Sequence, residues 1–259
     1  MQPAIIIGFV WLLFGGSHLA MSSSGVRPML VGRFGERGFT IAYVAVTVLT
    51  MVPLIVTTAL YADTGAAGPN LASHQIARWL LGFFSALGAV LLIAALVDFQ
   101  NSAIAQLAQR RRRTRENRNV KLGPPTAIER ISRHPFFVGL AMLTLSHAMM
   151  ADTLAEAGYF GGFALLSLAG LYFQDRKLRG QWDQIYADFE AETELLSLGK
   201  TASPAVLKSK VWLIAIVTVI VLFGAGHPLW TYANGAPLAA VILLFGLLAT
   251  MRAMRQRDR

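Results

Sequence analysis

Two histidines lie inside long apolar runs of the sequence, where a polar ring needs a hydrogen-bond partner or a metal. His18 ends the piece Phe14-Gly15-Gly16-Ser17-His18 in the first run, and Gly15, on the same helix face, leaves room for a flat group. His147 ends Thr144-Leu145-Ser146-His147 in the fourth run. Two imidazoles from facing helices are a common way to hold haem. The pattern predicts haem between His18 and His147. The alternative is that each ring hydrogen-bonds a neighbouring helix.

A third histidine, His134, opens the fourth run in Arg133-His134-Pro135, where Pro135 suits the first turn of a helix. At about 100° and about 1.5 Å per residue, His134 and His147 lie roughly 140° apart around one helix and ~20 Å apart along it. One metal therefore cannot bind both rings. A second ligand opposite His147 must come from another helix.

The other polar residues offer less chemistry. His74 falls in an outer loop, and His227 ends the sixth apolar run. The acidic residues near the runs lie at their ends, so acid–base catalysis by a carboxylate pair in mid-membrane is not indicated. The chain has no cysteine, which excludes disulfides, thiolate metal sites and a cysteine nucleophile.

The elements that must position these rings are membrane helices. Of the 259 residues, 55% are hydrophobic and 14% are charged, and the mean hydropathy is +0.53, which does not describe a soluble surface. Runs of about 20 apolar residues are long enough to cross about 30 Å of hydrocarbon as helices. The predicted fold class is all-α, a polytopic membrane helix bundle with about seven transmembrane helices. These span roughly residues 3–22, 39–61, 77–99, 134–151, 154–174, 210–226 and 236–252.

The basic residues predict the orientation of these helices. When alternate loops are assigned to opposite sides, every lysine and arginine except Arg78 falls on one side. Because such residues collect in cytoplasmic loops, the N-terminus is predicted outside and the C-terminus in the cytoplasm. The same rule accounts for the net charge of +9 and for the run Arg110–Arg113 without a nucleic-acid partner, and it implies contact with anionic lipid.

An amphipathic stretch follows the fifth predicted span. Between Gln181 and Leu198, Trp182, Ile185, Tyr186 and Phe189 recur at helical spacing with acidic residues opposite. The pattern favours a helix lying on the cytoplasmic interface, and a flap over a site is the alternative. The predicted organisation is a transmembrane core (1–180), an interfacial segment (181–209), and two further transmembrane helices with a basic tail (210–259).

Several pieces, in this order, resemble the NnrU family, whose relatives include the 15-cis-zeta-carotene isomerases of plants and cyanobacteria. The resemblance covers about residues 4–180. His227-Pro228 of this chain looks like a further piece that is found in longer bacterial members of the family. The matching pieces are His18; Arg33-Phe34-Gly35-Glu36-Arg37 followed by Tyr43; Arg130-Ile131-Ser132-Arg133-His134-Pro135; Leu145-Ser146-His147; Phe160-Gly161-Gly162-Phe163; and Asp175-Arg176-Lys177.

The resemblance implies a multi-pass protein of the bacterial inner membrane. Its isomerase branch implies haem b and isomerisation of a cis double bond in a hydrophobic, lipid-dissolved polyene. By position, the axial ligands of that branch fall on His18 and His147. Plant isomerases have a cysteine where this chain has Thr144, so exchange with a thiolate ligand is not available here. The candidate cofactor-binding residues are therefore His18, His147, His134, Arg133, Gly15 and Thr144, with His18 and His147 as metal ligands and the role of His134 open.

Two alternatives remain. The bacterial namesake of the family is associated with expression or maturation of denitrification enzymes, which implies a non-catalytic accessory or assembly factor with a respiratory-complex partner. The piece from Arg133 to Gly139 also resembles the Arg-His-Pro-x-aromatic-x-Gly signature of the isoprenylcysteine and phospholipid methyltransferases, which bind S-adenosylmethionine. Those enzymes continue with a Glu-Glu pair, where this chain has Gln174-Asp175.

Overall fold

A computed structural model describes residues 2–99, 102–107, 122–197 and 210–221 of the chain. Within these ranges it contains helices and no β-strand, apart from an isolated bridge between Ala67 and Thr153. The predicted all-α class is confirmed. The helices, labelled in chain order, are α1 (Pro3–Ser22), α2 (Val26–Tyr61), α3 (Gln75–Val97), α4 (Pro135–Met150), α5 (Leu154–Glu192) and α6 (Lys210–Val221), with a 3-10 turn at Leu71–Ser73.

Four of these helices, α1, α2, α3 and α5, are long and apolar enough to cross a membrane, and α4 is a shorter apolar helix. Large apolar side chains on them face outward, and Leu12, Leu49, Trp79 and Leu165 are each exposed to between 70% and 74%. Such surfaces suit a lipid bilayer. The predicted seventh span and His227 lie outside the described residues. The count of seven and the orientation of the termini stay predictions.

Two helices extend beyond the predicted spans because hydropathy marks the membrane-crossing part rather than the whole helix. Helix α2 begins at Val26 instead of 39 and bends at Gly35, whose φ of 68° favours glycine. Helix α5 does not end at 174 but continues to Glu192, and its direction changes at Asp183, with φ 37°. The predicted interfacial stretch therefore begins as part of α5.

The chain forms two compact units. Of the described residues, the first unit contains 2–70 and 151–162. In this unit the indole of Trp11 donates a hydrogen bond to the carbonyl of Tyr159 over 3.1 Å. A Cβ placed on Gly162 would lie 2.2 Å from Cε2 of the same indole. The Phe-Gly-Gly-Phe piece therefore has a packing role, since the glycine leaves the space that Trp11 fills.

The second unit contains the described residues of 71–150 and 163–225, with α3 packed on α4 and α6. Helices α3 and α4 approach closely at Gly88 and Gly139. A Cβ on Gly88 would lie 2.7 Å from the Gly139 carbonyl oxygen, and one on Gly139 would lie 2.6 Å from the Leu92 nitrogen. The core beside this crossing consists of Leu91, Ala94, Ile128, Val138, Leu171 and Ala215.

A buried carboxylate fixes the loop that leads into α4. The Glu129 side chain accepts hydrogen bonds from the backbone N–H groups of Ala103 (2.6 Å) and Thr126 (3.0 Å), and the residue is 2% exposed. Burial raises the pKa of Glu129, and nearby Asp98 adds to the shift, while the hydrogen bonds from Thr126 and Ala103 oppose it. This loop ends in Arg133 and His134, so Glu129 helps to position them.

We expect Gly139→Ala to destabilise the protein by about 1–3 kcal/mol, because the new methyl group has no room against the α3 backbone. The matched control is Gly82→Ala on α3, where a Cβ meets nothing within 4 Å. That change should be neutral or stabilising by up to about 1 kcal/mol. Denaturant unfolding in detergent measures both. Equal effects of the two substitutions would contradict the close crossing.

We expect Glu129→Gln to flatten the dependence of stability on pH. Because the pKa of Glu129 is raised on folding, its contribution is fully present below the ordinary value of 4.5 and is lost as the pH rises through the raised value. The melting temperature of the wild type should therefore fall more steeply than that of the variant as the pH rises above the ordinary pKa of 4.5. Glu192→Gln, at an exposed site, is the control that should keep the wild-type slope.

Candidate functional site

In the second unit, the carboxylate of Asp175 on α5 accepts hydrogen bonds from several side chains. It accepts hydrogen bonds from the Tyr186 hydroxyl at 2.6 Å and from Nη2 and Nε of Arg133 at 2.8 and 3.3 Å. Nε2 of His134 makes a short contact with the same carboxylate. So many donors favour the ionised form of Asp175.

Local sequence explains how these groups meet. Arg133 and His134 directly precede Pro135, which starts α4 with a residue that needs no hydrogen-bond acceptor for a backbone N–H. Asp175 lies in α5 ahead of the change of direction at Asp183. That change brings Tyr186 to the same carboxylate. The site therefore combines the start of one helix with two stretches of another.

A second acid extends the cluster. Glu190 accepts two hydrogen bonds from Arg179, both of 2.8 Å, and lies 3.5 Å from Nη2 of Arg133. The backbone continues the connection, since the N–H of Arg133 donates to Glu194 and the N–H of Ser197 donates to Ile131. We call residues 184–197 the strap, because these bonds tie them to the segment that carries His134.

The strap overlaps the predicted interfacial segment, and the structure places much of its apolar face within the protein. Tyr186 and Phe189 are buried in a cluster with Ala103, Leu107 and Leu178, and Trp182 and Ile185 pack against that cluster half-buried. Protein thus covers the face that the sequence pattern assigned to lipid. The other reading of the pattern, a flap over a site, agrees with the bonds that the strap makes.

His134 is the most enclosed ionisable group of the cluster, with a side chain that is 0% exposed. The sequence placed it at the surface end of a helix. Its Nε2 contacts Asp175, but its Nδ1 has no hydrogen-bond partner among the residues that the structure describes. An unsatisfied buried polar atom costs about 1–3 kcal/mol, so it calls for an explanation.

His147 lies within α4 and is half-buried. Its Nδ1 is 2.8 Å from the Leu143 carbonyl oxygen and 3.4 Å from the hydroxyl of buried Ser85. Since a carbonyl only accepts, the proton of the ring lies on Nδ1 and the lone pair on Nε2. Thr144, one turn earlier, is buried and donates its hydroxyl to the Leu140 carbonyl over 2.7 Å.

His18 lies in the other unit, on α1, and is also half-buried. The Tyr43 hydroxyl is 2.8 Å from its Nε2 and 3.0 Å from its Nδ1, so two pieces of the family resemblance meet here. A Cβ on Gly15 would make an ordinary van der Waals contact of 3.6 Å with the Trp11 ring. Haem between His18 and His147 stays a prediction.

Four members of the cluster had no predicted site role: Asp175, Arg179, Tyr186 and Glu190. Asp175 was named only within two motif pieces and as an acidic residue near a span end, and Tyr186 was interpreted as part of an amphipathic face. A usable signal was the position of Asp175 directly after the apolar stretch of α5, since a carboxylate there needs a partner. Within the described ranges, no group of three or more His, Asp or Glu side chains could hold a metal ion.

The methyltransferase-like piece is held together by contacts within the chain. Arg133 and His134 bind Asp175. Asp175 is the second residue of Gln174-Asp175, the pair that stands where the methyltransferases have Glu-Glu. The final glycine of the piece, Gly139, packs against Gly88 and leaves room for α3. The glycine thus has a structural explanation, whereas His134 keeps one ring nitrogen without a partner among the described residues.

Comparison with known proteins agrees with the sequence pieces. The family model described as NnrU protein matches residues 6–235. Among curated proteins and among solved structures, no match was found. This family model covers nearly the whole length of the 259 residues. The chain therefore belongs to the NnrU family.

Proposed function

We propose that this NnrU protein binds haem b in the bacterial inner membrane and acts on a lipid-soluble substrate by isomerisation or electron transfer. In this proposal His147 would hold the haem iron, and the resemblance carries His18 over as the second ligand. Haem iron would supply an electrophilic or redox-active centre. The apolar, outward-facing surfaces of the helices support a lipid-soluble substrate, because a hydrophobic molecule can reach them through the lipid.

The single observation that carries the proposal is the bond from Nδ1 of His147 to the Leu143 carbonyl, 2.8 Å long. Histidines that ligate metals usually donate their other ring N–H to a carbonyl or carboxylate, which fixes the tautomer and the direction of the ring. Here that bond puts the lone pair on Nε2, as ligation requires. Ser85 contacts the same nitrogen and limits rotation of the ring.

We expect purified wild-type protein, expressed with ample haem, to show a Soret band, and His147→Ala to lose it because an axial ligand is removed. His18→Ala should lose it as well. His74→Ala is the matched control, since His74 is exposed and precedes α3. Absorption spectra of protein with equal elution on gel filtration provide the measurement.

A wild-type protein that folds and elutes normally but has no Soret band would contradict haem binding. It would leave the accessory or assembly role in a respiratory complex, for which co-purification of a second protein is the measurement. A Soret band that survives in His147→Ala would move the ligand elsewhere and remove the observation that carries the proposal.

A methyltransferase is the second candidate, favoured by the meeting of the Arg133-His134 piece with Asp175. We expect calorimetry to detect binding of S-adenosylmethionine to the wild type and at least about tenfold weaker binding to His134→Ala, since one lost buried hydrogen bond of about 1.4 kcal/mol is worth that factor. His147→Ala is the control that should keep the affinity. Absence of heat in the wild type would exclude this candidate.

A further inference from the structure

We propose that His134 is the proton-accepting residue of a separate binding site for a neutral hydroxyl group, and that the strap (184–197) is the lid of this site. The site is independent of the proposed haem function, because it uses neither His147 nor His18. It is an alternative to the S-adenosylmethionine candidate, which uses the same His134. Its elements are a buried ring nitrogen without a partner among the described residues, a carboxylate that orients the ring, and a segment tied over both.

The carboxylate of Asp175 decides which ring nitrogen of His134 can accept a proton. A carboxylate accepts hydrogen bonds, so Nε2 of His134 carries the proton that faces it. In the neutral ring, the lone pair is then on Nδ1, in the buried position. The arrangement resembles the base and orienting acid of known catalytic dyads, with Asp175 as the positioning residue.

The charges around His134 select the ligand. Arg133 and Arg179 already balance Asp175 and Glu190 within one connected set of ion pairs. A charged ligand group beside His134 would add an uncompensated charge next to a side chain that is 0% exposed. The group that fits Nδ1 is therefore a neutral donor, and a hydroxyl is the simplest donor of that kind on an amphipathic molecule.

The strap accounts for the enclosure of the ring. Tyr186 donates to the same carboxylate oxygen that His134 contacts, and Glu190 bridges Arg133 and Arg179. The strap follows the positive φ of Asp183, so its direction is set at one residue. The polar contacts add to the packing of Tyr186 and Phe189 in their apolar cluster, so weakening the polar contacts should make opening of the strap more frequent without unfolding the other helices.

Carbethoxylation by diethyl pyrocarbonate, which acylates neutral imidazole nitrogens, tests the lid in the full-length protein. Peptide mass spectrometry gives the rate at each histidine. We expect His134 in the wild type to react far more slowly than exposed His74. Glu190→Gln should raise the His134 rate roughly tenfold, as expected when partly buried ion pairs that oppose opening are lost.

Glu192→Gln is the matched control, since it removes a neighbouring exposed carboxylate and should leave the rate unchanged. If Glu190→Gln does not fold, Tyr186→Phe decides, because it removes only the hydroxyl that bonds Asp175. A wild-type His134 that reacts as fast as His74 would overturn the lid. So would an unchanged His134 rate in the variant that folds.

Decanol tests the ligand class, with decane as the control of equal chain length without a hydroxyl. Added to the opened variant in detergent, decanol should slow carbethoxylation of His134 while the rate at His74 stays constant. Decane should have no effect on either rate. Equal rates at His134 with the two additives would overturn the proposed hydroxyl site, whatever the outcome for haem.

Discussion

A carboxylate that is removed from water is stable only when positive groups and hydrogen-bond donors replace its hydration. Asp175 meets this demand with donors from Arg133, His134 and Tyr186, and the site depends on it. The start of α4 supplies Arg133 and His134, and two parts of α5 supply Asp175 and Tyr186. Their hydrogen bonds join these three stretches of chain. Removing the carboxylate would leave a buried guanidinium and a buried imidazole without their main partner.

Close backbone contact is the second constraint, and glycines provide it in each unit. Gly88 and Gly139 let α3 and α4 approach until a methyl group would reach backbone atoms, and Gly162 leaves room for the indole of Trp11. Within lipid, helices gain little from burying apolar surface against one another, so such close packing contributes more of their association than in water. This packing explains Gly162 of the family pieces and Gly139 of the methyltransferase-like piece, whereas it does not explain the histidines.

The three histidines inside or beside membrane helices differ in their contacts. His147 has its tautomer fixed by a backbone carbonyl, His18 lies against the Tyr43 hydroxyl, and His134 is joined to a carboxylate. The first arrangement suits a metal ligand and the third suits a proton acceptor. The two proposals therefore assign different chemistry to His147 and His134, on the basis of these different contacts.

The sequence by itself determined the all-α class, the apolar helices and the family, because hydropathy and short motifs are local properties of the chain. It also placed His134 at the start of α4, since Pro135 marks a helix start wherever it lies in space. It did not predict the partners of Asp175. Arg133 lies far from Asp175 along the chain, and Tyr186 lies beyond the change of direction at Asp183. Only the tertiary structure decided that the apolar face of the strap packs on protein and that His134 is enclosed, since an amphipathic pattern is the same whether its apolar side meets lipid or another helix.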